Sequence, residues 1–199
     1  MKKLLSATLI ALLSLTLITG CSSGEPGAPD GMKTASPAGV DYTLYVPSDW
    51  AVDTSEGSIL TSAHVKDGDN SNITMMSYTN DSELTTIVEF WESHVNRLAT
   101  IFDLDEEGNS TYKLLTVGGT DSETGEAAPD GEAAELNGQP CRVYRFEGLI
   151  GGIPLRYMQV ISYYKGDFYV FTYTATTEND RYGRNEEDVA RILNEFKFK

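Results

Sequence analysis

The sequence predicts an α+β fold, an antiparallel β-sheet of about six strands sandwiched by helices in an α/β/α arrangement. Three observations carry this expectation. Between residues 141 and 175, three long segments alternate apolar and polar residues, separated by Gly151-Gly152 and by Lys165-Gly166-Asp167. That is the pattern of an antiparallel meander. Leu84, Val88, Trp91, Val95, Leu98 and Phe102 recur at steps of four and three, which places all six on one face of a helix over 83–102. The chain closes on NEEDVARILNEFKFK, where Val189, Ile192, Leu193 and Phe196 line the inward face of a second helix. Two such helices each need a sheet to cover.

In chain order, the first element is an export signal over residues 1–20. Lys2 and Lys3 form its positive start, residues 4–18 its apolar run, and Thr19, Gly20 and Cys21 a small-residue processing site. That run reaches only about 22 Å as a helix, short of the ~30 Å core of a bilayer. Ile18-Thr19-Gly20-Cys21 resembles the lipobox of bacterial lipoproteins. The resemblance implies that the Cys21 thiol takes a diacylglyceryl group and that the signal is cleaved before it. It also implies acylation of the new amine, with palmitate among the expected chains. Two or more acyl chains hold a protein durably, at about 0.8 kcal/mol per buried CH₂.

Loss of residues 1–20 removes two lysines and no acid, leaving 13 basic against 30 acidic side chains and a net charge of −17. Such a surface repels phosphate backbones and anionic lipid, so nucleic acid is excluded as a partner and the membrane is held by the anchor alone. Residues 21–38, rich in Gly, Pro, Ser and Ala, bury too little to order themselves and read as a lipidated flexible tether. Residues 39–199 make one domain of about 160 residues, long enough to bury close to 70% of its unfolded surface.

The domain opens on VDYTLYVPSDWAV. Val40, Tyr42, Leu44 and Val46 alternate with Asp41, Thr43 and Tyr45, a half-buried strand ended by Pro47 and a turn into Trp50. Strands over 58–65 and 72–79 follow, then the helix over 83–102 with Asp81 or Ser82 as its N-cap. A strand over 112–117 precedes the stretch 118–138, whose six acids, five glycines and one proline mark a surface loop. Weak cation capture there is the lesser alternative. The meander strands 141–150, 153–164 and 168–175 come next. Asn185 is the expected cap of the last helix, whose first turn carries Glu186, Glu187 and Asp188.

Three stretches together resemble PsbP-like domains. YTLYVPSDW is similar to their first strand and Pro-x-x-Trp turn, YKGDFYVFTYTA to their late hairpin, and ARILNEFKF to their closing helix and terminal aromatic. The resemblance implies an antiparallel sheet between helices and a binding rather than a catalytic role. PsbP proteins support the oxygen-evolving centre of photosystem II, and a nuclear-import factor that binds the GTPase Ran shares the fold. No metal-binding residue of that family matches a position here, so none is assigned.

Chemistry-bearing motifs are sparse. His64 and His94 have no His or Cys at metal-ligand spacing. His64 and Asp67 form a possible pair, and His94 lies beside the apolar stripe as a packed histidine. Asp67-Gly68-Asp69-Asn70-Ser71-Asn72 begins like a calcium loop, but Asn72 stands where glycine is needed and Tyr78 where a bidentate Glu is needed, so it reads as a turn. Gly148–Gly152 precedes a strand, where a phosphate cradle would precede a helix. Cys141, unable to pair with a lipidated Cys21, reads as a buried small hydrophobe. The nine Tyr and Phe residues from Tyr144 to Tyr173 are strand formers, with an exposed groove as the alternative.

These features lead to the expectation of a non-catalytic accessory lipoprotein outside the cell membrane, bound to the membrane through Cys21 and to another protein. Catalytic, cofactor-binding and metal-binding residues are assigned to none. One alternative is a small-ligand-binding lipoprotein with a pocket of roughly 300 Å³ or more along the aromatic strands or the first helix. The other is a hydrolase whose carboxylates converge only in three dimensions.

Overall fold

Each long strand is turned into the next by two residues in the left-handed backbone region. Asn137-Gly138 (φ 50° and 73°), Gly151-Gly152 (59° and 76°) and Lys165-Gly166 (50° and 95°) carry the paired positive φ of a type I′ hairpin turn. The structure is a computed structural model that describes residues 27–53, 60–66, 68–81, 83–115 and 130–199. The expected signal, Cys21, Asp67, Ser82, the start of the 58–65 strand and most of the acidic stretch 118–138 lie outside the described residues.

Strands β1 (Met32–Thr34), β2 (Tyr42–Thr43), β3 (Tyr45–Pro47), β4 (Ala51–Asp53), β5 (Thr61–His64) and β6 (Asn72–Thr79) precede helix α1 (Ile87–Ala99). Strands β7 (Lys113–Leu114), β8 (Glu132–Leu136), β9 (Gln139–Ile150), β10 (Ile153–Tyr164) and β11 (Asp167–Thr176) follow. A 3₁₀ turn (Glu178–Asp180), helices α2 (Arg181–Arg184) and α3 (Glu186–Asn194), and strand β12 (Lys197–Phe198) complete the described chain.

Eight strands form one antiparallel sheet in the order β4-β5-β6-β11-β10-β9, with β7 and β8 both paired to the far edge of β9. Ribbons β1–β3 and β2–β12 lie apart from it. The two-residue period sends alternate side chains to opposite faces. On one face Phe168 and Val170 of β11, Ile161 of β10 and Phe146 of β9 pack with Phe90 and Trp91 of α1. On the other, Phe171 and Tyr173 of β11 and Val160 of β10 pack with Val189 and Ile192 of α3 and with Trp50. The fold is an α+β sandwich, its sheet larger than the six strands expected.

Strands β6 and β10 have the bounds read from the sequence; other elements differ. The 40–46 segment divides at Leu44, because Leu44, Tyr45 and Val46 are all buried and the chain leaves one ribbon for the other. Within the expected tether, Met32 is fully buried and β1 pairs with β3, so the ordered body starts before residue 39. Within the expected acidic loop, β8 pairs with the start of β9. Helix α1 begins at Ile87, capped by Thr86 rather than by Asp81 or Ser82. Thr86 Oγ1 accepts from Glu89 N while the Glu89 carboxylate accepts from Thr86 N, a reciprocal capping box. Upstream, the Asn80 amide bonds both the N–H and the carbonyl of Leu84, and Glu83 has φ 54°, so no helix continues back to residue 83. Asn185 stands at the start of α3 without capping it; its amide donates instead to Ser71 Oγ and Arg181 O.

Candidate functional site

The residues singled out in the sequence take mostly structural places. Cys21 lies outside the described residues. Cys141 is a buried thiol, its pKa pushed up to about 11 by burial and then by the nearby Glu135 carboxylate. His64 Nδ1 lies 3.8 Å from Asp53, both side chains being exposed, while the Asp67 considered as its partner lies outside the described residues. Asp69 is engaged structurally: its carboxylate accepts from Ser71 N, faces the Asn185 amide and pairs with Arg184 at 3.8 Å. Of the nine aromatics between 144 and 173, seven are buried in the two cores, while Tyr163 is 39% exposed and Tyr164 half-buried. Most of the aromatic run is scaffold, while Phe168 and Tyr173 also line concavities. Among the described residues no three His, Cys, Asp or Glu side chains are grouped to hold a metal ion.

Two places on the molecule are concave instead. The first follows from element lengths. Helix α3 has nine residues, about 14 Å, against twelve-residue strands of about 40 Å. It cannot cover the whole sheet face, and two adjoining depressions are left open beside it. The depression of about 340 Å³ under α3 has Val143, Met158, Val160 and Tyr182 among its apolar walls and Arg145 and Glu186 at its rim. The depression of about 320 Å³ further along includes Leu149, Pro154, Lys113 and Glu147. Arg156 stands between them: its guanidinium pairs with Glu147 at 3.0 Å and lies 5.4 Å from the centre of the Tyr182 ring. Arg145 pairs with Glu132 at 3.0 Å and Lys113 with Glu147 at 3.9 Å. The result is a groove with an apolar floor and a rim of paired charges.

The second concavity, about 330 Å³, sits on the other face where α1 meets strands β6 and β11. Tyr78 of β6 and Phe168 of β11 are register partners, which sets their rings side by side beneath the helix. Phe90 stacks on Phe168 at 4.4 Å between centroids, and His94 stacks on Phe90 at 5.6 Å. His94 and Arg97 reach the same opening from the next turn of α1. Burial, and then the Arg97 guanidinium, hold the His94 pKa below its ordinary value. Burial raises the Tyr78 phenol, with Arg97 acting the other way. The sequence reading had only the helix edge; it missed this constellation because Tyr78 and Phe168 are ninety positions apart and meet only by strand pairing.

No protein-family model matches the chain, and no curated protein matches it. Solved structures do share its architecture. The solution structure of cyanobacterial PsbP (CyanoP) from Synechocystis sp. PCC 6803 is similar with a TM-score of 0.54 and 13% identity, over 87% of this chain and 96% of that one. The crystal structure of the Saccharomyces cerevisiae Ran-binding protein Mog1p is similar with a TM-score of 0.52 and 8% identity, over 84% of this chain and 95% of that one. At such identities the likeness is one of fold, and the fold is PsbP- and Mog1-like.

Proposed function

We propose that this chain is a non-catalytic, extracytoplasmic lipoprotein, anchored through Cys21, whose PsbP-like domain binds a partner protein through the groove beside α3. The groove is the observation that carries the reading: a mixed apolar and charged trough left open because α3 is shorter than the strands it covers. Its length and openness suit an extended segment of another protein better than an enclosed small molecule. The likeness in fold to a Ran-binding protein adds support, since a protein of this architecture binds a partner.

Two experiments test the two halves of the proposal. Replacement Cys21→Ser should move the protein from the membrane fraction to the soluble one; unchanged membrane retention overturns the anchor. Photocrosslinking in intact cells from Ala190 and Met158, on the groove, should give one discrete adduct that is absent from Glu187 on the exposed side of α3. Adducts absent from the groove positions, or equal from both faces, overturn the docking assignment.

A further inference from the structure

The concavity at the edge of α1 is independent of that groove and lies on the opposite face of the sheet. Three polar groups open into it: the Tyr78 hydroxyl, the His94 imidazole and the Arg97 guanidinium. None of the three has a hydrogen-bond or ion-pair partner among the described residues. Of the other polar side chains there, Thr79 adds an exposed neutral hydroxyl, and the remaining two are already used. Ser93 Oγ donates to Phe90 O, and the Asn80 amide is bonded twice to Leu84. The remaining wall is apolar and aromatic, formed by Leu84, Phe90 and Phe168.

Charge makes the place unusual. The chain carries 30 acidic residues, yet no carboxylate is among the described residues lining this pocket, and Arg97 is. A cation in the last turn of a helix is favoured by the macrodipole, so the position of Arg97 on α1 alone decides nothing. Its convergence with two unpaired donors over a ring-lined hollow does. From these observations we infer that the pocket binds a small organic monoanion, a carboxylate whose aromatic or branched body lies on Phe90, Phe168 and Leu84. Arg97 would take the carboxylate through its planar fork, with Tyr78 and His94 as further donors.

A monoanion fits better than a phosphate. With His94 neutral, as burial and Arg97 favour, the pocket offers one positive charge. A dianion would leave one charge uncompensated within a strongly acidic protein. The volume of about 330 Å³ lies at the small end of ligand pockets and suits one ring with a short side chain.

Equilibrium dialysis tests this with the full chain in phospholipid nanodiscs, empty nanodiscs serving as the blank, with phenylacetate as the probe. The expected result is saturable binding, with chemical-shift changes at the His94 imidazole and the Phe90 ring. 2-Phenylethanol, which keeps the body and loses the charge, should bind at least tenfold more weakly, and Arg97→Gln should weaken phenylacetate at least tenfold. Arg97 is exposed, so its replacement leaves the fold intact. Phe168→Ala serves as a second variant that removes the ring wall and should also abolish binding. Absence of saturation up to 10 mM phenylacetate, equal binding of the alcohol, no effect of Arg97→Gln, or tighter binding of phenyl phosphate would each overturn the assignment. None of these outcomes bears on the groove beside α3.

Discussion

Gly148 of β9 lies so close beneath Phe102 that a side-chain Cβ at this position would overlap Phe102 Cδ1. Phe102 is the last residue of the apolar stripe, yet it lies beyond the end of α1, with its buried ring against Phe146 and Tyr157. Glycine in a strand interior usually weakens it; here it admits a ring. Gly148→Ala is therefore expected to destabilise the domain by about 1–3 kcal/mol. The double variant with Phe102→Leu should recover part of that loss in urea unfolding, because the two changes share one contact. Additive losses would show that the close approach is not the cause.

Asn137 tests the hairpin that the composition of 118–138 concealed. It holds φ 50° in the turn between β8 and β9, and its Oδ1 accepts from Phe198 N at 2.8 Å. Asn137→Ala meets both left-handed strain and a lost hydrogen bond, and should cost about 1–2 kcal/mol. Asn137→Gly removes only the hydrogen bond and should cost distinctly less, as read from thermal or urea denaturation.

How much was legible follows from which signals are local. The 3.6 and 2.0 periods found α1 and the strands β6 and β10, because those elements bury one face against a large sheet. The Asn137-Gly138 turn was a local signal too, the same kind as Gly151-Gly152, and went unread because its neighbours are acids and glycines. Strand β1 had no local signal: only Met32 is large, and its reason to be ordered is pairing with residues 45–47. The start of α1 turned on Glu89 reaching back to Thr86, a capping box within a polar run where two earlier caps looked equally good. The edge of the first helix was legible as a place for a pocket, but the side chains that form the two concavities were not, since each joins residues brought together only by strand register and helix placement.

Cys141 gives a pH test with a fixed sign. Burial raises its pKa from an ordinary 9.0 to about 11, so the folded state holds the proton more tightly than the unfolded one. Its contribution to stability is complete below pH 9 and is lost as pH rises toward 11. At pH 8 a disulfide reagent such as DTNB should label the native domain slowly and the urea-unfolded chain at once. Rapid native labelling would contradict the buried placement.

His94 gives the opposite sign, and its neighbours are few enough to name. Phe90 and Trp91 flank its ring from α1 and Tyr78 from β6, while Arg97 is the charge that acts on it. Burial first and Arg97 second lower its pKa below 6.5, so the unfolded chain binds the proton more readily than the folded one. The stability linked to neutral His94 is therefore complete above pH 6.5 and declines as pH falls through the lowered folded value. Imidazole NMR should place the His94 midpoint below 6.5. Arg97→Gln should raise the His94 midpoint by removing the repulsion, though not to the ordinary value, because burial is the larger cause. In His94→Gln, the loss of stability between pH 6.5 and 5 should shrink; an unchanged slope would assign that acid sensitivity to the carboxylates instead.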